Sequence, residues 1–245
     1  MQHEVSDRVK RAQTTVSAWE RGTRVPKSDD LRRLDRILNT GGALAELWET
    51  LQRDSGGYAS WFSDYVNVEA DASEIHEYQP LVIPGLLQTA EYARAQIRIG
   101  KPRSTTEEVE QRVGGRMKRQ KLLEAEDGPL VSAIVEEHVL RRPIGGLDTL
   151  RGQLSHLLEA SHSPRVTLQA VSMGSDVHYG MDGAFILIKV PGRGQIAYRE
   201  TRVDSSPRED AEAVEEYIHL CSTLSAYALT PGMTCDLIEQ IRRDL

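Results

Sequence analysis

The sequence predicts an α+β protein: a small all-α head, followed by a larger domain of helices packed on a short, mostly antiparallel sheet. Three observations predict it. Apolar residues recur at spacings of three and four through the first fifty positions, the period of amphipathic helices. Four short runs rich in apolar and β-branched residues cluster in the second half, with helical patterns before, among and after them. Between the two regions "LQRDSGGYASWFSDY" carries a Ser-Gly-Gly turn signal and reads as a linker or a helix end packed on the next domain. The expected domains are residues 1–55 and 60–245.

The bulk numbers are those of an ordinary globular chain. It has 245 residues, 39% hydrophobic and 27% charged. No apolar run approaches the roughly 20 residues that span a bilayer, so no membrane is expected. "MQHEVSDRVKR" has no apolar core, which argues against a secretory signal. Two cysteines, Cys221 and Cys235, are too few for a disulfide framework, and a cytoplasmic location is expected. The net charge of −7 argues against a general nucleic-acid binder. Its distribution qualifies that. Residues 1–36 hold nine Lys and Arg against six Asp and Glu, a net of +3, so the remainder carries −10. A basic head on an acidic body suits local contact with phosphate.

Each element of the head has its own signal. Val5, Val9 and Ala12 mark one face of a short helix, and Val16 and Trp19 start a second apolar face after a brief turn. Gly22 sits where a helix C′ residue would, and Pro26 follows as a stop. Ser28 is a candidate N-cap for a third helix, whose stripe is Leu31, Leu34, Ile37 and Leu38. "NTGG" ends it and "ALAELWETL" gives one more helical pattern. Two short helices with a tight connection and a third packed on them describe a helix-turn-helix. On pattern alone, a helical bundle with polar outer faces fits as well. The short amides and hydroxyls Gln13, Thr14 and Ser17 suit base edges, and Arg suits phosphates.

"QTTVSAWERGTRVPKSDDLRRLDRIL" resembles the second half of an XRE-type helix-turn-helix, the phage-repressor class, in its VSxWExG core, the proline four residues after the glycine and the leucine-rich helix beyond. The resemblance implies that Gln13, Thr14, Ser17 and Ala18 face the major groove. It implies that Arg11, Arg21, Thr23 and Arg24 lie near the DNA backbone, with Val16 and Trp19 in the core and Glu20 as a structural hydrogen-bonding residue. In that family a full helix precedes the one written "EVSDRVKR" here, so the head is expected to lack its first helix.

In the larger domain, a helical stretch is expected around Ala70, Ile75 and Tyr78. "QPLVIPG" then runs extended, with Pro84 opening a helix that faces Leu86, Leu87, Ala90, Ala93 and Ile97 one way. Ser104 and Glu107 read as a capping box for a helix through Val109, Val113 and Met117. Gly114 and Gly115 sit inside that helix, where a close crossing or a local break is the usual reason. A strand is expected over 130–135, then a helix with Leu147, Leu150, Leu154 and Leu157 in step. "RVTLQAVS", "GAFILIKV" and "QIAYRET" are three more strands, the middle one nearly all apolar and expected to be central. Helices near 207–229 and 231–245 close the chain.

"IHEYQPLVIPGLLQTAEYARA", "VEQRVGGRMKRQKLL", "EEHVLRRPIGG" and "HYGMDGAFILI", in that order, resemble the domain of unknown function 5753 that follows an XRE-type helix-turn-helix in many actinobacterial regulators. The resemblance covers about residues 60–245 and implies a transcriptional regulator, often encoded beside a small partner protein.

Signals for chemistry are few. Glu136, Glu137 and His138 lie together, and His178 and Asp182 share a later turn, but no HExxH or CxxC spacing accompanies them. No GxSxG, P-loop or GxGxxG occurs. "RRP", from Arg141 to Pro143, reads as a solvated basic turn before an anion site. Leu81, Val82, Ile83, Leu86 and Leu87 read as core before a pocket or a partner groove. The expectation is a DNA-binding transcriptional regulator, not an enzyme, with no cofactor and no metal. Its partners would be double-stranded DNA, a second copy of itself in a homodimer, and a small protein from an adjacent gene or a ligand sensed by the larger domain. The alternative is an antitoxin-like module that neutralises the small protein, with DNA binding weakened or lost.

Overall fold

The computed structural model describes residues 2–21, 26, 28–44, 60–200 and 205–245. Gly22, Thr23, Arg24 and most of the "ALAELWETL" and "LQRDSGGYASWFSDY" segments lie outside the described residues. The chain divides into two compact units, Met1–Ser60 and Trp61–Leu245.

The first unit is helical: α1 (Gln2–Val9), α2 (Gln13–Glu20) and α3 (Ser28–Leu38). Val9, Val16 and Leu31 are buried between them. Ala12 is exposed and extended at the N-cap of α2, so it is not part of the α1 stripe. Leu38 also leaves the expected stripe, being 51% exposed. The end of α3 is held by a buried carboxylate. Asp35 Oδ1 accepts the Leu44 N–H at 3.0 Å and the Thr40 hydroxyl, tying the following turn to the helix.

The second unit is α+β, as the sequence predicts. Its sheet has six strands: β1 (Glu74–Gln79), β2 (Leu130–Glu136), β3 (Val166–Val171), β4 (Phe185–Val190), β5 (Gly194–Glu200) and β6 (Ser205–Arg208). Their order is β3-β2-β1-β4-β5-β6. The β1–β2 and β2–β3 ladders are parallel and the other three antiparallel, so the sheet is mixed. The parallel half follows from the connections: helices fill the chain between β1 and β2 and between β2 and β3, as parallel crossovers require.

The first of those crossovers runs through a 3-10 turn (Gly85–Leu87), α5 (Ala90–Gly100) and α6 (Thr106–Gln120); the second runs through α7 (Glu137–Arg141) and α8 (Leu147–Ala160). After β6 come α9 (Ala211–Tyr227) and α10 (Pro231–Asp244). One core joins Ala133, Val135, Leu168 and Ala170 of the sheet to Leu150, Leu154 and Leu157 of α8 and Ile238 and Ile241 of α10. A second joins Tyr78, Ile134, Phe185 and Leu187 to Val214 and Leu224 of α9. Leu147 is 52% exposed and lies off the α8 stripe it was expected to start.

Several elements correct the sequence reading. Ile75 and Tyr78 belong to the central strand β1, while the preceding helix α4 (Ser60–Ala70) ends at Ala70. Ile75 and Tyr78 fit a helical spacing, but sheet pairing on both sides decides. Pro84 precedes only the 3-10 turn; α5 begins at Ala90, where the Thr89 hydroxyl caps the Tyr92 N–H. The capping box of α6 is Thr105 and Glu108, one residue after the expected pair. Pro207 lies in the edge strand β6, and α9 starts at Ala211 with Asp210 as its cap.

Buried polar groups tie the helices together. Glu69 is fully buried, and both of its carboxylate oxygens receive the Arg119 guanidinium at 2.5 and 2.7 Å. The Tyr65 hydroxyl donates to the same carboxylate at 2.7 Å. Burial and the Glu69 charge push the Tyr65 phenol well above its ordinary range, so it serves as a donor. Gln153, also fully buried, accepts the Thr89 N–H and donates to the Leu87 carbonyl, both at 2.7 Å, locking α8 to the 3-10 turn.

Two predictions follow from these arrangements. Helix α6 passes unbroken through Gly114, and a Cβ built there meets nothing within 4 Å. Gly114→Ala is therefore expected to stabilise the chain by about 1 kcal/mol, read as a rise in thermal midpoint. Arg119→Leu strands the buried Glu69 charge and is expected to destabilise the second unit by about 3–5 kcal/mol. Adding Glu69→Leu should recover most of that loss in denaturant unfolding.

Candidate nucleic-acid interface

The turn between α1 and α2 is three residues long, Lys10 to Ala12. Lys10 takes the left-handed conformation at φ 59°, a position where glycine is the usual residue. The Arg11 N–H reaches the Ser6 carbonyl at 3.0 Å and the Lys10 N–H the Asp7 carbonyl at 3.3 Å. This pair of bonds is a Schellman motif, and it turns the chain sharply into α2.

Helix α2 then presents Gln13, Thr14, Ser17, Ala18 and Arg21 on one face, by helical spacing. Gln13, Thr14 and Arg21 are exposed, while Ser17 and Ala18 are half-buried. Val16 lies in the core and Trp19 is half-buried on the opposite side. Among the described residues, no side chain caps the N-terminus of α2, and no acidic residue occupies its first turn. That end offers N–H groups and the positive pole of the helix dipole to an anion.

The cations have different surroundings. Arg11 binds Asp30, in the first turn of α3, through two hydrogen bonds of 2.9 and 3.1 Å. The Asp30 side chain is 4% exposed. Arg11, implied by the family resemblance to lie near DNA phosphates, is thus also a structural tie between the turn and α3. Among the described residues, Arg21 bonds only its own helix, from Nε to the Ser17 carbonyl at 3.2 Å. Glu20 accepts the Gln2 amide at 2.5 Å, which gives it the hydrogen-bonding role expected of it. Thr23 and Arg24, the other two residues implied near the backbone, lie outside the described residues.

In the second unit the structure brings together residues that the sequence only listed. Glu136 Oε1, at the end of β2, accepts the Tyr78 hydroxyl at 2.8 Å and lies 3.1 Å from His178 Nε2. Gly180 packs so closely that a Cβ there would sit 2.1 Å from the Tyr78 hydroxyl oxygen. Glu137 accepts the Met173 N–H at 3.0 Å, the Ser172 hydroxyl and the Arg141 guanidinium. Burial opposes its charge, but those donors outweigh it and hold the carboxyl below its ordinary range. The two carboxylates thereby pin the 172–183 loop to the end of β2. Arg141 of the "RRP" turn is committed to Glu137, and Asp182 uses its carbonyl to receive Arg199. Ile83, Leu86 and Leu87 are buried, whereas Leu81 is exposed.

Two short helices joined by a tight turn, with a third tied to the turn and an exposed polar face on the second, define a helix-turn-helix domain, a class that binds DNA. The family models agree. One described as a helix-turn-helix domain matches residues 2–48. One described as a domain of unknown function, DUF5753, matches residues 62–240, and the chain belongs to that family. Comparison with curated proteins and with solved structures returns no match. Among the described residues, no helix is long and apolar enough to cross a membrane.

The two arginines are separable by stability. Arg11→Ala leaves Asp30 buried without its partner and is expected to destabilise the first unit by about 1–3 kcal/mol. Arg21→Ala is expected to change it by less than about 0.5 kcal/mol. Amide hydrogen-exchange protection of α2 and α3 in the two variants checks this.

Proposed function

We propose that the protein is a sequence-specific transcriptional regulator of the XRE type, acting in the cytoplasm by binding and not by catalysis. Helix α2 enters the major groove of double-stranded DNA. Gln13, Thr14 and Ser17 meet base edges, with Ala18 against them, and Arg21 meets phosphate. The carrying observation is the α2 face itself, with Gln13, Thr14 and Arg21 exposed, on a helix start with no side-chain cap among the described residues and no acid in its first turn. An eight-residue reader contacts few base pairs, which supports a homodimer on paired half-sites. The larger unit receives the signal, from a small ligand or a small partner protein.

A second reading has its own support. The loop that Glu136 and Glu137 pin carries Met173, Tyr179 and Met181, all exposed, the last at 84%. Tyr179 packs against the exposed Tyr227 with ring centres 4.9 Å apart and planes tilted at 49°. Exposed methionine and tyrosine suit an antitoxin-like contact with a small protein. Co-purification with the product of the adjacent small gene, while operator DNA is ignored, would favour it.

The main test is an electrophoretic mobility shift on DNA upstream of the gene. The wild-type protein is expected to shift it with an affinity that falls steeply with salt. Gln13→Ala combined with Arg21→Ala should weaken the specific complex by at least about tenfold and reduce the salt slope by about 1. Equal, salt-insensitive binding by both proteins sinks the reading.

A further inference from the structure

An arginine holds a carboxylate best along one edge of its guanidinium, where Nε and Nη2 donate in parallel to the two oxygens. Arg11 closes that edge on Asp30, Arg94 on Glu110 and Arg119 on Glu69. Arg116, one turn of α6 before Arg119, is held differently. Its Nη1 donates to the side-chain oxygens of Gln88 and Gln96, the second at 2.9 Å. Its Nε is buried without a hydrogen-bond partner. Among the described residues Nη2 makes no hydrogen bond either, and no acid pairs with this guanidinium. A buried donor on a charged group calls for an acceptor.

That edge borders a cavity of about 50 Å³ among α6, the 3-10 turn and strands β1 and β4. Arg116 and Gly85 both line it. A Cβ built on Gly85 would meet a single atom within 4 Å, the Arg116 Nε, at 3.9 Å. The space beside Nε therefore exists because residue 85 has no side chain. One water-sized sphere takes roughly 10–15 Å³ of such space, so the cavity admits about four heavy atoms. A carboxylate carrying one methyl group has that size; tetrahedral phosphate and any ring are larger.

The walls suit the same guest. Ile83 and Ile186, both buried, offer a methyl group an apolar side. Gln96 is anchored by its oxygen, and its amide N–H groups are uncommitted among the described residues. The one carboxylate in the lining, Glu77, accepts the Gln79 amide at 2.8 Å and makes no ion pair with Arg116. Its charge weakens the hold on an anion without filling the guanidinium edge. A neutral amide of the same shape is selected against, because its N–H₂ group would meet Nε or Nη2 donor to donor.

We propose that this cavity is a binding site for a small monocarboxylate of the size of acetate. Its two oxygens receive Nε and Nη2 of Arg116, and its methyl group lies against Ile83 and Ile186. The proposal gives the ligand of the larger unit a chemical class and rests on the reading of that unit as the receiver of a signal.

The test is titration calorimetry on the full-length protein, with sodium acetate replacing sodium chloride at constant ionic strength. Acetate is expected to bind saturably with a Kd of about 1 mM, within the ceiling for so small a ligand. Acetamide, its neutral isostere, should bind at least about tenfold more weakly. Arg116→Lys keeps the charge and loses the fork, and should weaken acetate binding at least about tenfold. Gly85→Ala keeps Arg116 and places a methyl group beside Nε, and should weaken it to a similar degree. The backbone of Gly85 is not left-handed, so alanine is tolerated there. Native circular dichroism confirms each variant, and Gly85→Ala decides alone if Arg116→Lys does not fold. No saturable binding of acetate, equal binding of acetamide, or wild-type affinity in a folded variant overturns the proposal. The assay contains no DNA, so a failed mobility shift leaves it intact and its own failure leaves the DNA reading intact.

Discussion

The larger unit depends on one buried charge. Glu69 has no access to water, and an isolated carboxylate in such a place is untenable. It is kept by the Arg119 guanidinium and the Tyr65 hydroxyl, which join α4 to α6 across fifty residues of sequence. The Arg119 guanidinium also lies 5.3 Å from the Tyr65 ring, and that ring meets Tyr198 of β5 edge-on. Placing α6 in this way brings Arg116 onto Gln88 and Gln96, and Gln120 onto the Gln88 carbonyl. Gln153 of α8 then holds the next residue, Thr89. Once the first ion pair is set, the helices covering this side of the sheet have little freedom left.

That network explains why the quoted motifs hold polar residues at places where periodicity asks for apolar ones. Tyr78, Gln79 and Gln88 fall in one motif, Arg116, Arg119 and Gln120 in another, and "EEHV" supplies the two carboxylates that hold the 172–183 loop. Apolar spacing located α8, α10, β2, β3, β4 and β5, because each has a face that only burial explains. It misplaced β1, whose sequence EIHEYQ mixes charge and aromatics. A strand flanked on both sides uses both faces: Ile75 goes to a core while Glu77 and Gln79 are buried beside it as hydrogen-bonded polar groups. A single-sequence reading cannot distinguish such a polar core from solvent exposure. Strand β6, with Ser-Ser-Pro-Arg, had no strand signal and exists as an edge paired on β5.

The head shows the same limit on a smaller scale. The order of α1, α2 and α3 and the exposed face of α2 were legible from spacing and from the placement of Val16. The presence of a turn was legible too, but not its left-handed geometry, because a lysine occupies the position where glycine is the usual signal. Nor was the partner of Arg11: nothing in a linear reading pairs it with an aspartate nineteen residues on. A basic residue beside a recognition helix reads as a phosphate contact until the acid that holds it is located.

That pairing bears on how such a domain can bind DNA. The head's excess of positive charge is only +3, and one of its arginines is already engaged with a buried acid. Each phosphate neutralised contributes separately to affinity, so a head whose acids nearly balance its bases has little sequence-independent attraction. The −10 carried by the rest of the chain works against it further. Under the proposed function, affinity must then come from fit, with base contacts by Gln13, Thr14 and Ser17, and from joining two heads on one site. A regulator built this way releases DNA readily when pairing is disturbed. Under that same proposal the burden of control falls on the larger unit, whose pinned 172–183 loop exposes Met173, Tyr179 and Met181 to a second molecule.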